Sequence, residues 1–180
     1  MISYAITDPT TLDFLTIQSD MKRFSDKKAS MIVYRDKENE ICTYDGQKFI
    51  DEARKYDFEK VLLHGDIALA IKIKADGVHL ISKQFKEIEI AKKEGLFVVI
   101  STHSIEEAKK AEELGADMLT YSPVFKSPGK GEPVGLHMLS ELTSMVEIPV
   151  IALGGIITDE HVEACQMSGA SGFASIRYFA

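Results

Sequence analysis

The sequence predicts one closed (β/α)8 barrel over residues 1–180. Three observations predict it. Eight short apolar runs recur along the chain, separated by stripes at helical spacing. Continuously apolar strands that alternate with helices imply a parallel sheet covered on its faces. The seventh run ends in a glycine pair, Gly154-Gly155, with the eighth just beyond. In such barrels the loops after strands seven and eight frequently bind phosphate. An open doubly wound sheet is the alternative reading of the same pattern.

The candidate strands are residues 2–7, 31–35, 60–64, 77–80, 97–102, 118–124, 149–154 and 172–176. Phe14, Ile17, Met21 and Phe24 form the stripe after the first strand. Asp66 reads as the N-cap of a helix over residues 67–73. Ile105, Ala108, Ala111 and Leu114 form the next clear stripe; Ser104 and Glu107 open it as a capping box, and Gly115 stops it. Leu136, Leu139, Leu142 and Val146 form another. A weak internal echo supports the count: Lys74-Ala75-Asp76, Gly115-Ala116-Asp117 and Gly169-Ala170-Ser171 precede strands four, six and eight.

The barrel is expected to lack its eighth helix, because only four residues follow the eighth candidate strand. At 180 residues the chain is short for a fold that usually takes roughly 200 to over 400. An uncovered barrel face would leave apolar surface in water, so a homodimer across that face is expected.

A net charge of -7, without a basic stripe, argues against a nucleic-acid partner. Cys42 and Cys165 match no metal spacing and are not preceded by a secretory signal, which points to a reducing cytoplasm. No apolar run is long enough to span a membrane, so no membrane partner is expected.

Several motifs in order resemble the thiamin-phosphate synthase and TenI family. They are Y-A-I-T-D at residues 4–8, Y-R-D-K at 34–37 and A-D-G-V-H-L at 75–80. S-T-H-S-I-E-E-A-K-K-A-E-E-L-G-A-D follows at 101–117, then S-P-V-F-K-S-P-G-K at 122–130 and I-P-V-I-A-L-G-G-I at 148–156. The resemblance implies the barrel derived above, a place in thiamin biosynthesis and a thiazole carrying an ethyl phosphate as small-molecule ligand. Synthases of the family join that thiazole to an aminopyrimidine diphosphate with magnesium. TenI-type members isomerise a thiazole carboxylate phosphate to its aromatic tautomer, and need an acid–base group but no metal.

The resemblance places magnesium carboxylates after strands three and four. Gly65 and Gln84 stand at those positions, so no metal site and no cofactor is expected unless the chain is a synthase. His103, just after strand five, matches the acid–base histidine of the tautomerases, and His64, after strand three, is the second catalytic candidate. His79 lies within strand four and is expected to pack or to orient a neighbour. Arg35 and Lys37 match the diphosphate-binding pair and are candidate substrate-binding residues. Gly154 and Gly155 offer bare backbone to a phosphate, joined by Ser127 and Lys130 after strand six and Arg177 after strand eight.

The sequence therefore supports a thiazole phosphate-binding barrel with tautomerase-type isomerase chemistry. An altered thiamin-phosphate synthase is the second reading, and a non-catalytic phosphate-ligand binding protein is the third.

Overall fold

The computed structural model describes residues 1–180. Eight strands close into a parallel barrel: β1 (Ile2–Ile6), β2 (Met31–Tyr34), β3 (Lys60–His64), β4 (Gly77–Leu80), β5 (Phe97–Thr102), β6 (Met118–Tyr121), β7 (Val150–Leu153) and β8 (Gly172–Ser175). β8 pairs with β1 in register Tyr4 to Ala174, which completes the ring. Seven helices cover it: α1 (Ile17–Asp26), α2 (Thr43–Ala53), α3 (Ile67–Lys72), α4 (Ile88–Lys93), α5 (Ile105–Glu113), α6 (Gly135–Thr143) and α7 (Asp159–Met167). No helix is long and apolar enough to cross a membrane.

Period-two alternation divides each strand between two cores. Met31 and Val33 of β2 point into the barrel with Tyr4, Leu62, Val99, Met118 and Ile151. Ile32 and Tyr34 point outward beneath the helices. Both faces are buried, which is why the strands read as unbroken apolar runs. The predicted stripes supply the opposing surface, with Met21 and Phe24 of α1, Ala108 and Ala111 of α5, and Leu139 and Leu142 of α6 all buried. Ser104 accepts from the Glu107 amide at 3.1 Å, and Asp66 accepts from the Leu69 amide at 2.8 Å, so both expected caps form.

The internal echo has a backbone cause. Lys74, Gly115 and Gly169 stand at φ 56°, 85° and 88°, the left-handed turn that ends a helix. The Asp that follows two of these turns then clips a neighbouring strand: Asp76 accepts from the Val61 amide at 2.7 Å, and Asp117 from the Val98 amide at 2.8 Å. β6 and β7 end earlier than their apolar runs, because residues beyond Tyr121 and Leu153 turn across the barrel mouth.

After β8 the chain makes a short 3-10 turn, Arg177–Phe179. The expected open face is filled from within the chain. Phe179 is fully buried, parallel to Phe173 at 5.8 Å and 6.5 Å from Phe24. That packing covers Phe173 on the outer side of β8.

Candidate functional site

All eight strands run the same way, so the loops after them gather at one end. There they surround a cavity of about 770 Å³. His64, His103, Arg35, Lys37, Ser127, Lys130, Gly154, Gly155 and Arg177 all line it. Every site residue expected from the sequence thus reaches a single pocket.

Residues after β7 and β8 form one wall. The amides of Gly154, Gly155, Ile156 and Ile176 donate to no other group of the chain. Ser175 ties the two loops together, donating to the Ile156 carbonyl at 2.7 Å and accepting from the Tyr178 amide at 3.1 Å. The glycine pair has a packing cause too. A Cβ on Gly154 would stand 2.7 Å from the Pro123 Cα, and one on Gly155 2.7 Å from the Lys126 carbonyl oxygen. With φ of 99° and 72°, only glycine lets the β6 loop press this close.

Four cations also line the cavity. None of Arg35, Lys37, Lys130 and Arg177 pairs with a carboxylate. Arg35 is half-buried, and burial lowers its pKa against the opposing pull of Asp8 and Asp36. The Arg35 charge, then burial and the Lys130 charge, lower that of Lys37. Unpaired like charges around a cavity repel one another until an anion enters.

His103 sits at the exposed start of α5. Its Nδ1 lies 2.8 Å from the Ser122 carbonyl oxygen, which only accepts, so Nδ1 carries the proton and donates. Nε2 of the neutral ring is then an unpaired base. Glu107 holds the His103 backbone amide at 2.7 Å, which anchors the residue below its ring.

His79 is more central than its place within β4 suggested. It is buried, lines the cavity and bridges Tyr4 and Ser101, with 3.0 Å from Nδ1 to the Tyr4 hydroxyl and 3.0 Å from Nε2 to Ser101 Oγ. Tyr4 is fully buried with no other partner, so its hydroxyl must donate to Nδ1. Nε2–H then donates to Ser101, which leaves the Ser101 proton for a ligand. Thr120, paired with Ser101 across β5 and β6, holds a buried hydroxyl with no protein partner. Sequence reading passed over Ser101, although its inward parity with Val99 marks it as a polar group facing the barrel axis.

His64 stands beside this network, its ring 5.7 Å from that of His79. Burial first, then Arg35 and Lys37, push the His64 pKa down to about 4. Burial first, then His64 and Arg35, push that of His79 to about 3. Both rings are neutral near pH 7. Their unfolded values lie near 6.5, so below that pH the unfolded chain binds more protons and stability falls as pH falls. Acidification from pH 7 to 4.5 is expected to cost about 3–5 kcal/mol through this pair. Urea melts of the wild type and His64→Asn check it: the variant should lose part of the slope between pH 6.5 and 4.5. Equal slopes would remove His64 from the acid response.

Gly65 and Gln84 meet directly. Gln84 Nε2 donates to the Gly65 carbonyl at 2.8 Å and to Glu87 Oε2 at 2.9 Å, while Oε1 accepts from the Ile81 amide at 3.0 Å. The amide of Gln84 therefore clasps the loops after β3 and β4 to one another. Asp66, the nearest carboxylate in sequence, is engaged as the cap of α3.

The profile of a family described as thiamine monophosphate synthase matches residues 3–179. A thiamine-phosphate synthase of Clostridium novyi is 31% identical over 96% of this chain and 87% of its own length. An Aquifex aeolicus protein carrying a provisional thiamine-phosphate synthase name is 45% identical, but over 63% of this chain and 61% of its own. Among solved structures, a thiamine phosphate pyrophosphorylase from Pyrococcus furiosus superposes with a TM-score of 0.80 at 28% identity, covering 97% of this chain and 85% of that one.

Proposed function

The chain belongs to the thiamine monophosphate synthase family, and within it we propose that this protein is a metal-independent thiazole tautomerase. The observation that carries the reading is the Gln84 clasp. The positions where the resemblance implies magnesium ligands hold a glycine and a fully engaged neutral amide. Magnesium prefers anionic oxygen, so the residues present do not fit it.

Tautomerisation asks less. A proton leaves one ring atom, another arrives elsewhere on the same ring, and no group departs. His103 Nε2 takes the proton and returns it. The unpaired amides of Gly155, Ile156 and Ile176, with Arg177, hold the ethyl phosphate. Ser127 and Lys130 close over it from the β6 loop. Arg35, with Lys37, grips the carboxylate and turns the thiazole toward His103. His64, neutral and beside Arg35, is a second proton acceptor within the same cavity.

Unpaired cations favour one rival. Arg35, Lys37 and Lys130 would offset part of a diphosphate's charge, so an altered synthase is the second reading. One experiment separates them. Thiazole carboxylate phosphate should convert to its aromatic tautomer at the same rate with magnesium or with chelator. Thiazole phosphate and aminopyrimidine diphosphate together should give little thiamin phosphate. Robust magnesium-dependent thiamin phosphate formation would overturn the proposal and restore the synthase.

A further inference from the structure

We propose that Arg23 and Asp20, both outside the cavity, are positioning residues that brace its phosphate-binding wall. The inference rests on the phosphate reading above and deepens it.

The 3-10 turn after β8 places Ile176 and Arg177 at the cavity, yet it has little hold on itself. Its own backbone bonds, Phe179 N to Ile176 O and Ala180 N to Arg177 O, are both 3.3 Å long. Outside groups hold it. Arg23 Nε donates to the Phe179 carbonyl at 3.1 Å. Lys27 donates to the Tyr178 carbonyl at 3.0 Å and to that of Ala180. Tyr178 donates to Asp159 Oδ1 at 2.6 Å, which ties the turn to α7.

Arg23 is the strut among these, because its other nitrogens reach the far side of the gap. Nη2 donates to the Thr11 carbonyl, and Nη1 to Asp20 Oδ1 at 2.6 Å. The second oxygen of Asp20 accepts from the Asp13 amide at 2.9 Å and from the Thr16 hydroxyl at 3.2 Å. Asp20 is buried, with only 11% of its side chain exposed, so its charge depends on these partners. The guanidinium also lies 4.9 Å from the Phe24 ring centre.

One planar cation thus joins the loop after β1 to the turn after β8. Asp8 and Thr10 of that first loop line the cavity, as do Ile176 and Arg177 of the turn. Arg23 touches neither cavity nor ligand. It sets the spacing between two cavity walls that no helix spans. Its five donors in a fixed fork reach three acceptors at once, which a lysine ammonium on its flexible stem cannot reproduce.

The test is an amide NMR titration with inorganic phosphate, read at Gly155 and Ile176. It compares the wild type with Arg23→Met, Arg23→Lys and Ile50→Val, the last a buried residue of α2 that provides a destabilised control. Arg23→Met should weaken phosphate binding about tenfold, as loss of charge-assisted bonds does. Arg23→Lys should recover part of it, and Ile50→Val should bind as the wild type. In turnover, Arg23→Met should raise KM and spare kcat. Equal phosphate affinity in Arg23→Met and wild type, or equal weakening in Ile50→Val, would overturn the brace and leave the phosphate site standing. Should Arg23→Met not fold, Arg23→Lys and Asp20→Asn carry the same comparison. A wild type that binds no phosphate overturns the site, and the brace with it.

Discussion

Replacing His103 with alanine should slow turnover by about 100- to 10,000-fold, the usual contribution of a general acid–base group. The Ser122 carbonyl holds Nδ1–H, so the free pair on Nε2 is fixed in place. Without the ring, the cavity keeps its unpaired amides and cations and loses its exposed base. Phosphate affinity should therefore stay within a factor of about two of the wild type while kcat collapses, the pattern of an interaction made only in the transition state. Stability should hardly change, because the ring is exposed and the Glu107 bond to the backbone amide survives the substitution. The measurement is steady-state kinetics beside a phosphate titration. Wild-type turnover in His103→Ala would take the residue out of the mechanism and leave His64 as the base.

Phe179→Ala should cost about 3–5 kcal/mol, the range for truncating a fully buried aromatic. Phe179 stacks nearly parallel to Phe173, with 4° between the ring planes, and meets Tyr178 edge-on at 5.2 Å. These contacts, with Phe24, close the outer face of β8 where other strands have a helix. The lost ring leaves a cavity and uncovers Phe173 to water. Two readouts follow: a lower urea midpoint, and new self-association by light scattering at concentrations where the wild type keeps its size. A loss below about 1 kcal/mol, the level of an ordinary surface change, would show that the turn does not close that face.

Local pattern reached the strands because both of their faces are buried, and it reached the caps of α3 and α5 because a cap is a contact between residues three apart. It overran the ends of β6 and β7, where the apolar run continues but the backbone turns to cover the cavity. It took the glycine pair as bare backbone for a ligand. The same glycines are also what lets Pro123 and Lys126 approach, a cause that no single stretch of sequence contains.

By itself the sequence determined the barrel and the rim on which nine candidate residues meet. In a parallel barrel every strand ends at the same face, so a residue's place just after its strand is enough to put it there. Tertiary structure alone decided what those residues do to one another. Tyr4, His79 and Ser101 join across 75 and 22 residues of chain, through the register of strands that a one-residue slip would turn to the other face. Arg23 and Phe179, 156 residues apart, meet only because β8 closes onto β1. The clasp of Gln84 on Gly65 arises the same way, from β3 lying beside β4. Periodicity records which face a side chain takes. The partner it finds there depends on ring closure, which sets distances among all eight strands at once.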